Sequence, residues 1–223
     1  MYHYVADKVF TKRAQSVCVD ILTDLTSKLL EHNISSQFIL VGSGARNMVT
    51  QNENNPIDFD YNLYIQKCAD INNCRMIKET VRKVLNKVLK KHSLDDCEDS
   101  TSSLTTRAIY FKDTPNIKFS MDICIVAMGD KEAWCRLIHE KTGYVSNDRY
   151  FWNEAPNSSK IREKADDIKD SGYWQSVRDE YLNLKNQYLK RNDRRPSFVC
   201  YIESINNLSL IHISEPTRLQ LIS

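Results

Sequence analysis

The segment at residues 38–65 constrains the fold more than any other part of the sequence. It opens with the apolar run FILV, which predicts a buried strand. A Gly-Ser-Gly turn that begins at Gly42 ends this strand, and the residues after the turn predict a short helix. Residues 57–65, IDFDYNLYI, alternate apolar and polar side chains, which predicts a second strand with one buried face.

Two aspartates lie on the polar face of that second strand. Successive side chains of a strand point to opposite faces, so Asp58 and Asp60 share one face. Neighbouring carboxylates repel each other, and such an arrangement usually persists because a cation lies between them. The backbone N–H groups of Gly42 and Ser43 are not shielded by bulky side chains, which suits a phosphate. These features together predict a site for a metal-bound triphosphate.

The order of a Gly-Ser turn, a short helix and an Asp-x-Asp strand resembles the nucleotidyltransferase superfamily of DNA polymerase beta. That superfamily carries a third carboxylate on a neighbouring strand, and Asp122 in the apolar run KFSMDICIV matches it. The order of parts is similar to that of the cyclic-dinucleotide and oligoadenylate synthases, which are longer. The resemblance implies an α+β nucleotidyltransferase fold, in which a mixed sheet flanked by helices is followed by a helical region.

The same resemblance implies roles for the site residues. Asp58 and Asp60 are expected to hold two Mg²⁺ ions, with Mn²⁺ as a possible substitute. Asp122 is expected to complete the metal site and is a candidate general base. The three carboxylates should therefore converge on one sheet face, within reach of a shared metal. Gly42 and Ser43 are expected to hold the β and γ phosphates of the nucleotide.

Two basic residues are further candidates for nucleotide binding. Arg46 lies one turn into the helix predicted after the Gly-Ser turn, where it could reach a phosphate or pair with a surface acid. Lys160 lies near the start of a later predicted helix and could meet the triphosphate from the helical side. A basic strip also lies in residues 75–92, which predict an amphipathic helix. Its lysine-rich face is either a solvated surface or a binding surface for a nucleic-acid acceptor.

The activity implied by the resemblance is transfer of a nucleoside monophosphate from an NTP to a hydroxyl acceptor, with release of pyrophosphate. The sequence leaves the acceptor open among a nucleotide, a small molecule, a protein side chain and an RNA end. The resemblance favours a second nucleotide, as in the cyclic-dinucleotide synthases of antiphage defence. An alternative from a different class is a non-catalytic domain of the same fold that binds a nucleotide or a protein partner.

The predicted domain organisation has three parts. Residues 1–128 are predicted to form the catalytic core, and residues 129–207 a helical region that is truncated. Within that region the sequence pattern predicts a short helix at residues 131–139 and an irregular aromatic segment at residues 144–156. Residues 208–223 are predicted to be a non-native tail.

The tail prediction rests on the run LSLIHISEPTR at residues 208–218. This run matches the translation of a transposase sequencing adapter. We therefore expect the native sequence to stop near Asn207, within its gene, and the residues after it to pack poorly.

Composition and sequence patterns constrain the partners, metal sites and location of the protein. The formal net charge of the 223-residue chain is +2, which gives no sign of a strong nucleic-acid footprint. No apolar run approaches the length of a membrane span, so we expect no membrane association. The seven cysteines are irregularly spaced and form no CxxC pair, which argues against a zinc site. Free thiols and the absence of an apolar signal sequence predict a cytoplasmic location.

Overall fold

The computed structural model describes residues 1–129, 132–156, 158–193 and 195–219, with side chains described as far as Ser209. The chain forms two compact units. One unit, Val5–Ala155, is built on a sheet, and the other, Met1–Tyr4 with Pro156–Ser223, is mainly helical. No helix in the described part of the chain is long and apolar enough to cross a membrane.

The sheet unit contains a mixed sheet with two parallel strands at its centre. The strands of this unit are β2 (Ser35–Leu40), β3 (Thr50–Asn52), β4 (Ile57–Lys67), β5 (Glu98–Asp99), β6 (Leu104–Thr105), β7 (Ile109–Phe111), β8 (Thr114–Met128), β9 (Trp134–Glu140) and β10 (Arg149–Glu154). The main path of the sheet is β10-β9-β8-β4-β2, and the short strands β6 and β7 also pair with β8. Strands β4 and β8 run parallel to each other, whereas β2 is antiparallel to β4 and β9 is antiparallel to β8.

Two long helices, α1 (Lys8–Leu30) and α3 (Cys74–Lys91), supply much of the core of this unit, and the short helix α2 (Gly42–Ala45) follows β2. Both long helices begin at a side-chain cap. The Asp7 carboxylate accepts a hydrogen bond from the Phe10 N–H, and the Asn73 side chain accepts one from the Met76 N–H. The apolar faces of both helices join one hydrophobic core with the inner face of the sheet. The structure thus confirms the predicted α+β class, in which a mixed sheet is flanked by helices.

One secondary-structure prediction is wrong in a way that matters for the site. Residues 131–139 do not form the predicted helix, because Trp134–Glu140 is strand β9, paired with β8 on one side and β10 on the other. Within this strand Leu137 is buried and Ile138 is half-buried, as expected when successive side chains point to opposite faces. The segment predicted to be irregular also contains strand β10. The sheet unit therefore runs to Ala155, and the predicted boundary at residue 128 falls inside it.

The helical unit contains strand β1 (Tyr2–Tyr4) and helices α4 (Ser159–Asp170), α5 (Trp174–Lys190) and α6 (Ser197–Leu219). Its buried residues come from all three helices and are Ala165, Ile168, Val177, Tyr181, Leu184, Cys200, Tyr201, Ser204 and Ile205. Helices α4 and α5 agree with the helical region predicted for this part of the chain. Most side chains of the predicted non-native tail at residues 208–223 lie outside the described residues, so its poor packing stays a prediction.

Candidate active site

The register of the two central strands places the three predicted carboxylates on one face of the sheet. Asp60 pairs directly with Asp122 across the parallel strands β4 and β8, and Asp58 pairs with Ser120. Paired residues on neighbouring strands share a face, and so do residues two apart on one strand. Asp58, Asp60 and Asp122 therefore project together from the face opposite the buried core residue Phe59.

Strand geometry gives the spacing of this cluster. Neighbouring strands lie about 4.8 Å apart, so the backbones of Asp60 and Asp122 are about that far apart. Asp58 lies two residues earlier on β4, about 6.6 Å along the strand. Asp60 and Asp122 are half-buried, whereas Asp58 is exposed. The polar face of the strand thus presents one open and two sheltered carboxylates.

Two hydroxyl groups hold the outer members of the cluster. The Ser120 hydroxyl donates a hydrogen bond to Asp58 Oδ1, and Thr105 on β6 donates to Asp122 Oδ1 at 2.5 Å. Among the described residues no side chain donates a hydrogen bond to the Asp60 carboxylate. Asp60 is therefore the carboxylate whose charge is least compensated by hydrogen bonds.

The electrostatics agree with that geometry. Burial raises the pKa of Asp60 to about 6, and repulsion from Asp122 and Asp58 adds to the effect. The positive charges of Arg46 and Arg136 oppose this rise in the pKa. Burial also raises the pKa of Asp122, although the Thr105 hydrogen bond opposes the shift. The carboxylates are thus close enough to repel one another, and a cation between them would relieve that repulsion.

Gly42 brings the turn after β2 directly against this cluster. Its backbone has φ of +63°, a conformation that glycine adopts easily. A Cβ atom at this position would lie 2.2 Å from Asp60 Oδ2. The Val41 N–H also donates a hydrogen bond to the Asp60 carbonyl oxygen at 2.8 Å. Both the backbone conformation and the close approach to Asp60 therefore require glycine here.

The other predicted nucleotide-binding residues fall into two groups. Ser43 lies in the first turn of α2, and its carbonyl oxygen accepts a hydrogen bond from the Met48 N–H at 2.9 Å. Arg46 Nη1 donates to the Gly42 carbonyl oxygen at 2.7 Å, so its guanidinium lies at the turn beside Asp60. Lys160 is an exposed residue in the first turn of α4, in the helical unit, and its role in nucleotide binding stays a prediction.

Arg136 on β9 is a residue of the site face that sequence analysis missed. It pairs with Val126 of β8, which pairs with Tyr64 of β4, so all three lie on the same face as Asp60. Arg136 is exposed, and its guanidinium has no hydrogen-bond or ion-pair partner in the part of the chain that the structure describes. The segment was predicted to be helical, and this hid the strand alternation that would have placed Arg136 on the site face.

Exposed aromatic side chains lie beside Arg136. The rings of Tyr64 and Trp134 meet edge to face with their centroids 5.1 Å apart. Trp134 is 44% exposed, and Phe151, which pairs with Ile138 on the same face, is 40% exposed. The site face therefore passes from carboxylates to a basic and aromatic surface along the direction of β4.

The carboxylate cluster was predicted to bind metal ions. Within the described ranges no three His, Cys, Asp or Glu side chains lie close enough together to hold a metal ion, so the expected convergence is not present as the side chains stand. Ser120 and Thr105 each engage one carboxylate oxygen of the cluster. The donor set itself consists of carboxylate oxygens, the ligands that Mg²⁺ and Mn²⁺ prefer. The residues fit such a cation by their chemistry, and their role as metal ligands stays a prediction.

No protein-family model matches the chain, and no curated protein matches it. Solved structures do match. The chain is similar to Escherichia coli MS115-1 CdnC in its complex with HORMA-deltaN, with a TM-score of 0.55 and 19% identity over 90% of this chain and 60% of CdnC. The 3′-deoxy ATP bound form of Vibrio cholerae DncV gives a TM-score of 0.53 and 16% identity over 78% of this chain and 45% of DncV.

A third similar structure is the cyclic dinucleotide synthase CdnE of Elizabethkingia meningoseptica, solved with GTP and Apcpp. It gives a TM-score of 0.50 and 16% identity over 86% of this chain and 68% of CdnE. The chain spans about 60% of the length of CdnC and less than half of DncV. The chain therefore has the nucleotidyltransferase fold that these proteins share.

Proposed function

We propose that this chain is part of a nucleotidyltransferase, which moves a nucleoside monophosphate from an NTP to a hydroxyl acceptor and releases pyrophosphate. The observation that carries the proposal is the shared face of Asp58, Asp60 and Asp122 beside the Gly42 turn. The cluster combines mutually repelling carboxylates with a glycine backbone, which are the parts needed to hold a cation and a phosphate side by side.

Asp58 and Asp60 would hold two Mg²⁺ ions, and Asp122 would complete this metal site. Mn²⁺ suits the same oxygen ligands. Bound ions of this kind supply charge stabilisation for the attacking and leaving oxygens of an in-line displacement. Thr105 donates to Oδ1 of Asp122, and Oδ2, to which no described residue donates a hydrogen bond, would accept the proton of the acceptor hydroxyl. Asp122 would in this way serve as the general base.

The polyphosphate would bind at the turn. Gly42 and Ser43 offer backbone N–H groups and a hydroxyl next to Asp60, and Arg46 places a positive charge at the same place. Arg136 would bind an anionic group of the substrate from the β9 side, because its guanidinium has no partner among the described residues. Lys160 remains a proposed phosphate ligand from the helical unit.

For the acceptor we propose a second nucleotide. The half-buried ring of Tyr64 and the exposed ring of Trp134 lie on the site face beside Arg136, and such aromatic surfaces suit a nucleobase. The similar structures support the choice, since CdnE is a cyclic dinucleotide synthase solved with GTP and Apcpp. A cyclic-dinucleotide product would suit a role in antiphage defence. A small molecule, a protein or an RNA remains the alternative acceptor. We also propose a cytoplasmic location, because all seven cysteines are free thiols.

The proposal is tested by incubating the complete gene product with each NTP and Mg²⁺. Pyrophosphate release is measured together with the shift of melting temperature that the Mg–NTP complex causes. We expect at least one NTP both to stabilise the protein and to be turned over. Stabilisation without turnover by any NTP would support the alternative, a non-catalytic nucleotide-binding domain. Neither stabilisation nor turnover would contradict both.

A further inference from the structure

A buried charged cluster lies on the core side of the sheet, away from the carboxylate face. Lys78 of α3 is 1% exposed and His139 of β9 is 4% exposed, and both meet the carboxylate of Asp99 on β5. Charged side chains are rarely buried this deeply unless a specific partner compensates them. The proposed reaction uses none of these three residues.

The contacts of this cluster converge on one turn of the chain. Lys78 Nζ lies 2.9 Å from Asp99 Oδ1 and donates to the Ser100 carbonyl oxygen at 2.7 Å. His139 Nδ1 lies 2.7 Å from Asp99 Oδ2, and the His139 backbone N–H donates to the Thr101 carbonyl oxygen at 2.7 Å. Helix α3 and strand β9 thus hold residues 99–101 from two sides.

The His139 ring lies between two carboxylates. Its Nε2 lies 3.0 Å from Asp148 Oδ2, so both nitrogens face carboxylate oxygens, which accept hydrogen bonds but do not donate them when ionised. The ring also stacks on Tyr150 at 4.1 Å. Burial alone would raise the pKa of Asp99, but Lys78 and His139 hold it below its ordinary value. The charge of Lys78 is balanced by Asp99, which Lys141 Nζ also approaches to 3.9 Å.

The turn held by this cluster belongs to a hairpin that ends at the proposed catalytic face. Strand β5 pairs with β6, and β6 pairs with β8, so that Thr105 lies opposite Asp122. The next residue, Thr106, exchanges two hydrogen bonds with Met121, one through its N–H and one through its hydroxyl oxygen. Thr105 itself donates to Asp122 Oδ1.

The hairpin has little apolar packing of its own. Each of its strands is two residues long, and Leu104 is its one fully buried side chain. Segments with few buried apolar contacts open easily unless other interactions hold them. The buried contacts of Lys78 and His139 with Asp99 supply such an interaction at the turn end of the hairpin.

We propose that Lys78, Asp99 and His139 are positioning residues, which anchor the β5–β6 hairpin so that Thr105 holds the carboxylate of Asp122 in place. This inference rests on the proposed function, in which Asp122 Oδ2 accepts the proton. When the anchor is lost, Thr105 moves away from Asp122, and the carboxylate turns away from the orientation that transfer requires. The effect falls on turnover more than on nucleotide binding, because the turn at Gly42 is untouched.

The anchor is tested first without any activity measurement, by hydrogen exchange of this chain. We expect His139→Gln to speed amide exchange in residues 98–106 and 119–123. The matched control is His92→Gln, which breaks another His–Asp pair, His92 with Asp24, in the same unit. Asp99→Asn is the second variant if His139→Gln does not fold. Unchanged exchange of the hairpin in a folded anchor variant would overturn the proposal.

The link to Asp122 is tested on the complete gene product with a double-mutant cycle. Thr105→Val should lower kcat about tenfold, the size expected for one hydrogen bond to a charged group, while KM for the NTP changes less than about twofold. Thr105→Ser should restore kcat, because it keeps the hydroxyl. The double variant with His139→Gln should be no slower than the slower single variant, whereas multiplied effects would overturn the proposal. If the wild type shows no turnover, the proposed function fails and hydrogen exchange alone decides the anchor.

Discussion

Gly42 and Asp60 are in such close contact that a methyl group on Gly42 would lie 2.2 Å from the Asp60 carboxylate oxygen Oδ2. The contact joins the two sequence features that first suggested a triphosphate site, the Gly-Ser turn and the Asp-x-Asp strand. A phosphate bound by the turn would therefore lie beside the carboxylates. The contact also leaves no room for a side chain at Gly42 unless Asp60 shifts.

Gly42→Ala separates strain at a positive φ from the clash with Asp60. Gly143 and Gly172 also have positive φ, of +88° and +80°, but a Cβ there would meet nothing within 4 Å. Alanine at either control position should cost about 1 kcal/mol of unfolding free energy through backbone strain alone. Gly42→Ala should cost about 1 to 3 kcal/mol more, because the Asp60 side chain must shift, and should weaken Mg²⁺ binding.

Urea unfolding of the three alanine variants, together with Mg²⁺ titration by calorimetry, checks this prediction. Equal stability of the Gly42 and Gly143 variants with unchanged Mg²⁺ affinity would contradict the contact between the turn and the carboxylate.

Asp60→Asn should stabilise the metal-free protein at neutral pH. The pKa of Asp60 rises from 3.8 to about 6 on folding, so its charge opposes folding above pH 6. The shift corresponds to about 2 to 3 kcal/mol. This cost vanishes as the pH falls below the unfolded value of 3.8, where Asp60 is protonated in both states.

The measurement is the unfolding free energy of both proteins in EDTA between pH 4 and pH 7.5. The advantage of the Asn variant should be largest at pH 7.5 and shrink steadily between about pH 6 and pH 4. An advantage independent of pH, or one that grows toward pH 4, would show that Asp60 is not under the repulsion described above.

Arg136→Met should weaken substrate binding and shift the pH profile of turnover. Loss of one charge-assisted hydrogen bond to a phosphate should raise KM for the substrate about tenfold. Because Arg136 lowers the pKa of Asp60, its removal should also move the acidic limb of the kcat/KM profile to higher pH. Arg149→Met, on the neighbouring strand β10 and paired with Glu140, is the control. Equal KM values and equal pH profiles for the two variants would contradict a role of Arg136 in substrate binding.

The local pattern of the sequence was enough to predict which side chains of β4 face the site. Strict alternation in residues 57–65 identifies the face of Asp58 and Asp60, and apolar neighbours on both sides of Asp122 indicate a largely buried strand. The pairing of Asp60 with Asp122 is a contact between segments far apart in the chain, which local periodicity does not encode. The resemblance to a known superfamily supplied that link.

Other parts of the site depend on partners that no local pattern reveals. Lys78 belongs to a helix whose lysine-rich face was interpreted as either solvated or nucleic-acid binding, yet it is buried because Asp99 meets it from a distant turn. Arg136 was missed for a related reason, since its segment was predicted to be helical but is strand β9. Only the pairing of β9 with β8 and β10 determines that this segment is extended.

The most direct test of the central claim is Mg²⁺-dependent pyrophosphate release by the complete gene product and its Asp60→Asn variant. Asp113→Asn, at an exposed carboxylate that pairs with Arg13, serves as the control for the same substitution. The wild type and the control should turn over at equal rates and stop when EDTA removes the metal. The Asp60 variant should lose at least about a hundredfold in kcat while remaining folded, because several kcal/mol of charge stabilisation depend on the metal. An Asp60 variant as fast as the wild type would contradict the metal-ligand role and the mechanism built on it.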